Sequence, residues 1–399
     1  MDAVDGGGWL ATDFGAVLEL VFTDLQAGRI DRARKSVKRL RYQAAPSKEI
    51  CQALQEEASA VLDDAYARYS GFAAAGAYHN RVENSAPLGL DALRGSTRNS
   101  VASWSHPTDR WQAFTAGARD PIVFRVDARW AIYWTMFRWA QDMSLDLEAG
   151  AIEDNYSGRA MAYLRHALSG WGNEHLRKFG YPETPAYIGN FETAGPGIEP
   201  RLGSDFGLMV NIEIGPFVCR KVALFQAKRA HNGNADVGSH SGQLATLARR
   251  PDVGYYLFHH QSDEGHRAPS PAVHAVADVV NRTTTAGKSL SDTKIGIEVR
   301  DGGWDLAAFM AFGLCDPASD IGRKFNDVEE GMRILGDGKI APPPSRMFVY
   351  AIADKARVET LRLEIRRHRY RELDLPDLQV GKDRGMERSI DDDFEMSFP

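Results

Sequence analysis

At 399 residues the chain exceeds what one small core organises, and two domains are the default division, with three the alternative. A composition 43% hydrophobic and 26% charged, with eight tryptophans, excludes a disordered chain, and no apolar stretch nears the ~20 residues that a bilayer-spanning helix needs. The net charge of −6 supplies no global attraction to polyanions, so any nucleic-acid contact falls to local basic patches.

The opening "MDAVDGGGWLATDFG" is acidic and glycine-rich and lacks the charged and apolar regions of a secretory leader. Cys51, Cys219 and Cys315 are odd in number, far apart and form no CxxC pair, which predicts a reducing, cytoplasmic setting without a disulfide framework. Residues 14–70 read as helical from apolar residues at three-to-four spacing, with Ser47 as a cap before the second run. Residues 80–125, rich in Gly, Ser, Asn and Pro, read as an irregular connection. Residues 127–150 predict a helix whose Trp130, Trp134, Phe137 and Trp139 belong to a core, and 154–180 another helix ending near Gly180-Tyr181-Pro182.

Beyond residue 185 short β-rich runs appear: "FGLMVNI", "VALFQAK", "GYYLFHH", "KIGIEV" and "RMFVYAI". Helix-like segments lie among them, around 238–250, 271–281 and 304–315. Pro342-Pro343-Pro344 ends a loop before the strand at 347–352, and 354–372 reads as a charged helix. The expected fold class is therefore α/β or α+β, with a helical N-terminal region (1–150) and a second domain (151–399) built on a central mixed β-sheet flanked by helices and carrying a C-terminal helical extension. Basic stretches at 32–41, at Arg220/Lys221 with Lys228/Arg229, and at 362–372 are candidate nucleic-acid contacts; solvated helix faces or strand ends are the ordinary alternative.

The stretch with the most chemistry is "GSDFGLMV…VALFQAKR". Asp205 opens one apolar run, and Gln226 and Lys228 close the next. A period of two sends 226 and 228 to one face and Ala227 to the other. A hairpin through Ile214-Gly215-Pro216 brings Asp205 opposite them, because the two arms match in length. A carboxylate and an amide oxygen are hard ligands suited to Mg²⁺, which needs few protein ligands. A lysine beside them orients a nucleophile or offsets transition-state charge. The competing reading is a structural hairpin with polar ends.

These residues resemble the PD-(D/E)xK nuclease superfamily, most closely the Mrr-like restriction endonuclease branch in which glutamine replaces the first acid of the E-x-K tripeptide. Gly203-Ser204-Asp205 stands where that pattern opens one strand, and Gln226-Ala227-Lys228 where it closes the next. A helix carrying a glutamine then follows, as Gln243 does in "SHSGQLATLARRPDVGYYLFHH". The resemblance covers residues 185–262; residues 1–150 match no family and are assigned a recognition or regulatory role. It implies a restriction-endonuclease-like core and an Mg²⁺-dependent endonuclease, with Mn²⁺ as the alternative ion. The substrate would be DNA rather than RNA, and the setting prokaryotic anti-phage defence with a homodimer or a defence-system partner protein. Asp205 and Gln226 would hold the metal, Lys228 would assist the attacking water, and Gln243 would join the catalytic set. The family also uses an upstream glutamate: Glu199 is the first choice, Glu174 the next and Glu192 the third. The alternative function is a non-catalytic nuclease-fold scaffold or sensor in a larger defence complex.

Other constellations are weaker. "DFG" at 205–207 and 13–15 lacks the glycine-rich loop and catalytic loop of a kinase. His231, His240, His259, His260 and His266 match no zinc spacing, although one of His259 and His260 should face the side of the sheet that carries Asp205. No phosphate-binding P-loop and no G-x-S-x-G elbow is present.

Overall fold

The computed structural model describes residues 14–43, 48–68, 79–148, 156–181, 183–193, 202–214, 217–261, 270–336 and 344–375. Ser47, Pro182, Glu199, the Gly215-Pro216 turn, His266 and Pro342-Pro343 lie outside them. Among the described residues eleven strands form one mixed sheet: β1 (Ala186–Thr193), β2 (Phe206–Ile214), β3 (Phe217–His231), β4 (Asn234–Asp236), β5 (Gly254–Gln261), β6 (Ala272–Ala275), β7 (Gly296–Glu298), β8 (Trp304–Asp305), β9 (Arg323–Lys324), β10 (Arg346–Ile352) and β11 (Tyr370–Leu373). Their order is β11-β1-β10-β2-β3-β5-β6-β8, with β4 and β9 on β3 and β7 on β4. β10 with β2 and β3 with β5 are parallel; the other pairs are antiparallel.

The central strands read as nearly unbroken apolar runs because both faces of the sheet are covered. Phe206, Leu208, Val210 and Ile212 of β2, with Cys219, Ala223 and Phe225 of β3, join the cluster of the N-terminal helices. Met209, Val222 and Leu224 point the other way, into a cluster with Leu244, Leu247, Val279, Leu335 and Leu361. Those come from the helices Gln243–Leu247, Val276–Thr285, Val328–Leu335 and Lys355–Arg367. The protein is thus an α+β fold with a central mixed sheet between two helical layers.

The Ala128–Glu148 helix anchors the first layer. Trp130, Trp134, Phe137 and Trp139 are all buried, as expected of core residues. Burial obliges each indole to find an acceptor. Trp130, Trp134 and Trp139 donate to the carbonyls of Arg119, Ala118 and Ala160 at 2.7, 2.9 and 2.7 Å. Arg129 of the same helix forms a buried two-pronged pair with Asp316 at 2.9 and 3.0 Å. One apolar cluster includes residues from both sides of position 150.

The irregular connection expected over 80–125 is instead helical, with segments His79–Ala92, Gly95–Ala102 and Pro107–Gly117. Composition misleads here because Ala86, Ala92, Trp111 and Phe114 are buried anchors, and tertiary packing overrides weak propensity. Gly89 sits inside a helix because a Cβ there would lie 2.5 Å from the Phe114 ring. Pro107 occupies the first helical turn, where its missing N–H is harmless. Two further boundaries shift. Residues 272–275 and 304–305 are short strands preceding helices, and the charged helix ends at Arg367 before β11. Among the described residues no helix is long and apolar enough to cross a membrane, and the three cysteines are buried and form no disulfide.

Candidate functional site

β2 and β3 pair antiparallel with Phe206 opposite Phe225, which sets Asp205 opposite Gln226. The Asp205 N–H donates to the Phe225 carbonyl at 2.8 Å, extending the ladder by one step. Phe206 and Phe225 face the N-terminal helices, so alternation turns Asp205, Gln226 and Lys228 to the opposite face. Asp205 and Gln226 meet directly. Gln226 Nε2 donates to both carboxylate oxygens at 2.8 Å, and the Ala227 N–H donates to Oδ2 at 2.8 Å. Gln226 is 2% exposed, yet its Oε1 has no hydrogen-bond partner among the described residues. Lys228 is half-buried on the same face and makes no hydrogen bond or ion pair among the described residues.

The approach to Asp205 depends on glycine. Gly203 has φ +69°, and a Cβ there would lie 2.3 Å from the Gln243 carbonyl oxygen and 2.9 Å from the Leu247 nitrogen. Only a residue without a side chain lets the Gln243–Leu247 helix lie against the segment that enters Asp205. That helix lies on the crossover from β3 to the parallel strand β5. Gln243 itself is half-buried, donates its backbone N–H to Ser239 Oγ at 2.9 Å, and makes no side-chain hydrogen bond to Asp205 or Gln226.

The upstream carboxylates divide differently. Glu199 lies outside the described residues. Glu174 is not brought to Asp205: its helix, Asn173–Lys178, buries Leu176 in the N-terminal cluster on the other side of the sheet. There it is an exposed carboxylate, and its hydrogen bond and ion pair with Lys178 at 3.0 Å hold it below its ordinary pKa. Glu192 reaches the same end of the sheet, but two strands away, on the other face and bound to Arg346 at 3.0 Å. Among the described residues no three His, Cys, Asp or Glu side chains gather into a metal-binding group.

The sheet adds groups that strand-by-strand reading missed. Gln226 lies beside Tyr256 of β5, and Tyr256 beside His274 of β6. A row of Asp205, Gln226, Tyr256 and His274 therefore crosses four adjacent strands on one face, at about 4.8 Å per step. Tyr256 is fully buried and its hydroxyl has no hydrogen-bond partner among the described residues. Burial, then the charge of Asp205, drives its phenol far above its ordinary pKa. His274 Nδ1 is 2.6 Å from Asp278 Oδ2, which also accepts from Arg282 Nε at 2.9 Å. Burial pushes Asp278 up, but the hydrogen bonds from His274 and Arg282 outweigh it and keep the carboxyl below its ordinary value. The aromatic run "GYYLFHH" announces a strand; that Tyr256 stands next to Gln226 follows only from the β3–β5 register. His260 shares the Gln226 face. His259 faces away, and burial with Arg229 nearby lowers its pKa to about 3, keeping it neutral.

Among the basic stretches, Lys221 is not a surface cation. It is fully buried, and its ammonium donates to the carbonyls of Gly313, Ser319 and Ile321 at 3.2, 2.6 and 2.8 Å. Arg362 and Arg366 are bound by Glu372. Arg32, Arg34 and Lys35 are exposed on the Ile30–Gln43 helix.

The Asp205–Gln226 pair fits a small hard cation in one respect that can be measured. Ligands at 2.0–2.1 Å on neighbouring corners of an octahedron are about 2.9 Å apart. The terminal atoms of Asp205 and Gln226 are 2.8 Å apart. Turning the amide over would exchange Nε2 for the orphaned Oε1 and set two oxygens at that spacing. Comparison with protein-family models, curated proteins and solved structures returns no match.

Proposed function

We propose that the chain is a divalent-cation-dependent phosphodiesterase of the PD-(D/E)xK type, a cytoplasmic DNA endonuclease of prokaryotic defence. The observation that carries the reading is a half-buried carboxylate bonded to a buried amide whose oxygen has no partner among the described residues, two residues from a lysine on the same face that has none among them either. Asp205 and Gln226 would hold Mg²⁺ or Mn²⁺, which when bound polarises the phosphoryl oxygen and acidifies a water. Lys228, without a partner among the described residues, would orient the attacking water or offset charge on the phosphorane-like transition state. Glu199 remains the upstream carboxylate assigned to the site. DNA, rather than RNA, and the defence setting rest on the resemblance of Gly203-Ser204-Asp205 and Gln226-Ala227-Lys228 to Mrr-like enzymes.

A second reading, a non-catalytic scaffold or sensor on the same fold, has one observation in its favour. Both Asp205 oxygens are already satisfied by Gln226 Nε2, as they would be in a purely structural pair. The two part on a simple assay. Plasmid, linear and single-stranded DNA and RNA are incubated with the protein and Mg²⁺ or Mn²⁺, with EDTA and Lys228→Ala controls. Cleavage lost with EDTA and in the variant supports the nuclease. Intact substrates throughout favour the scaffold, and cleavage of RNA alone corrects the substrate.

A further inference from the structure

Gln226 and Tyr256 are neighbours on one sheet face, 2% and 0% exposed, and each ends in a polar atom without a hydrogen-bond partner among the described residues. Such atoms on two neighbouring residues are uncommon in folded proteins, where buried polar groups are paired or hold water or an ion. On the far side of Gln226, Asp205 takes both hydrogen bonds from Nε2. The amide is thus polarised along the row: its donor end faces the carboxylate and its acceptor end is left over.

We propose that the Tyr256 hydroxyl holds the Gln226 amide in both of its orientations through one buried water, and thereby sets the cation affinity of the site. The inference rests on the cation-dependent reading of Asp205 and Gln226. With Nε2 toward Asp205, the leftover Oε1 needs a donor. With the amide turned so that Oε1 joins the carboxylate as an oxygen ligand, the leftover Nε2 needs an acceptor. A hydroxyl serves as either, whereas a backbone carbonyl serves only the second and a phenylalanine neither. Burial and the nearby Asp205 charge keep the phenol protonated, so it carries no competing negative charge into the site.

The test is a double-mutant cycle of Tyr256→Phe with Gln226→Glu, read as Mn²⁺ affinity by calorimetry on metal-free protein. Tyr256→Phe should weaken binding about tenfold, the effect of one buried hydrogen bond. In the Gln226→Glu background the loss should fall below about twofold, because a carboxylate offers oxygen in either orientation and needs no holder. Equal losses in both backgrounds would mean that Tyr256 only packs, and no loss in either would remove it from the site; each overturns the proposal. A second readout needs no variant. In ¹⁵N-labelled wild type, saturation with Mg²⁺ should shift the Gln226 side-chain amide signal as its partner changes, and an unmoved signal overturns the turning amide. Failure of the underlying reading looks different: wild type and Asp205→Ala would then both ignore Mn²⁺, and the role of Tyr256 would fall with it.

Discussion

Gln226→Glu probes the candidate site most directly, because it converts a donor–acceptor pair into two carboxylates without changing side-chain length. The pair is 2.8 Å apart, with Gln226 buried and Asp205 half-buried. Two unit charges at that distance repel by about 6 kcal/mol at an effective dielectric of 20. Keeping one glutamate protonated at pH 7 instead costs about 4 kcal/mol, from 1.36 kcal/mol per unit above its ordinary pKa of ~4.3. Protonation is the smaller cost, so the variant pair should share one proton at neutral pH. A pKa raised in the folded state means that the folded protein binds the extra proton more tightly than the unfolded chain. The variant's stability relative to wild type should therefore be full near pH 4 and fall as pH rises toward about 8–9, by about 4 kcal/mol at pH 7. Mn²⁺ should reverse the loss, since a cation between two carboxylates removes their repulsion. Urea denaturation from pH 4 to 9, with EDTA or Mn²⁺, measures both effects. A Gln226→Glu protein with wild-type pH dependence and no response to Mn²⁺ would refute the geometry and its electrostatic consequence together.

Gly203→Ala should destabilise by about 2–4 kcal/mol, combining the cost of a left-handed backbone with a collision against the Gln243–Leu247 helix; chemical denaturation reads it, and a change within 0.5 kcal/mol would remove the close approach. Asp316→Ala leaves the Arg129 guanidinium buried without its partner and should cost about 3–5 kcal/mol, whereas Arg129→Met with Asp316→Leu should recover most of that loss. His259, with its pKa lowered to about 3, disfavours the proton that the unfolded chain binds below pH 6.5, so stability should fall as pH drops from 6.5 toward 3. His259→Phe should flatten that part of the stability–pH curve, and an unchanged curve would mean another group is responsible. Lys228→Ala should leave the melting temperature within about a degree, because the side chain has no partner among the described residues to lose, while abolishing any cleavage.

The alternation within residues 206–214 and 217–231 is enough, on the sequence alone, to set Asp205, Gln226 and Lys228 on one face, because a strand's side-chain period and a hairpin's pairing are local properties. The tryptophans of Ala128–Glu148 declare a core helix for a similar reason: so much aromatic surface on one segment has to leave water. The other decisions came from partners distant in the chain. Residues 79–117 are helical because Trp111, Phe114 and Ala86 find a core to enter, which their Gly- and Pro-rich composition does not announce. Glu174 and Glu192, plausible by spacing, end on the wrong face because their own elements pack against the N-terminal layer and Arg346. Tyr256 and His274 join the row beside Gln226 only through the register of β3 with β5 and β5 with β6, which closes over long connections. Spacing along one chain decides which way a side chain points, and only the packed sheet decides what it points beside.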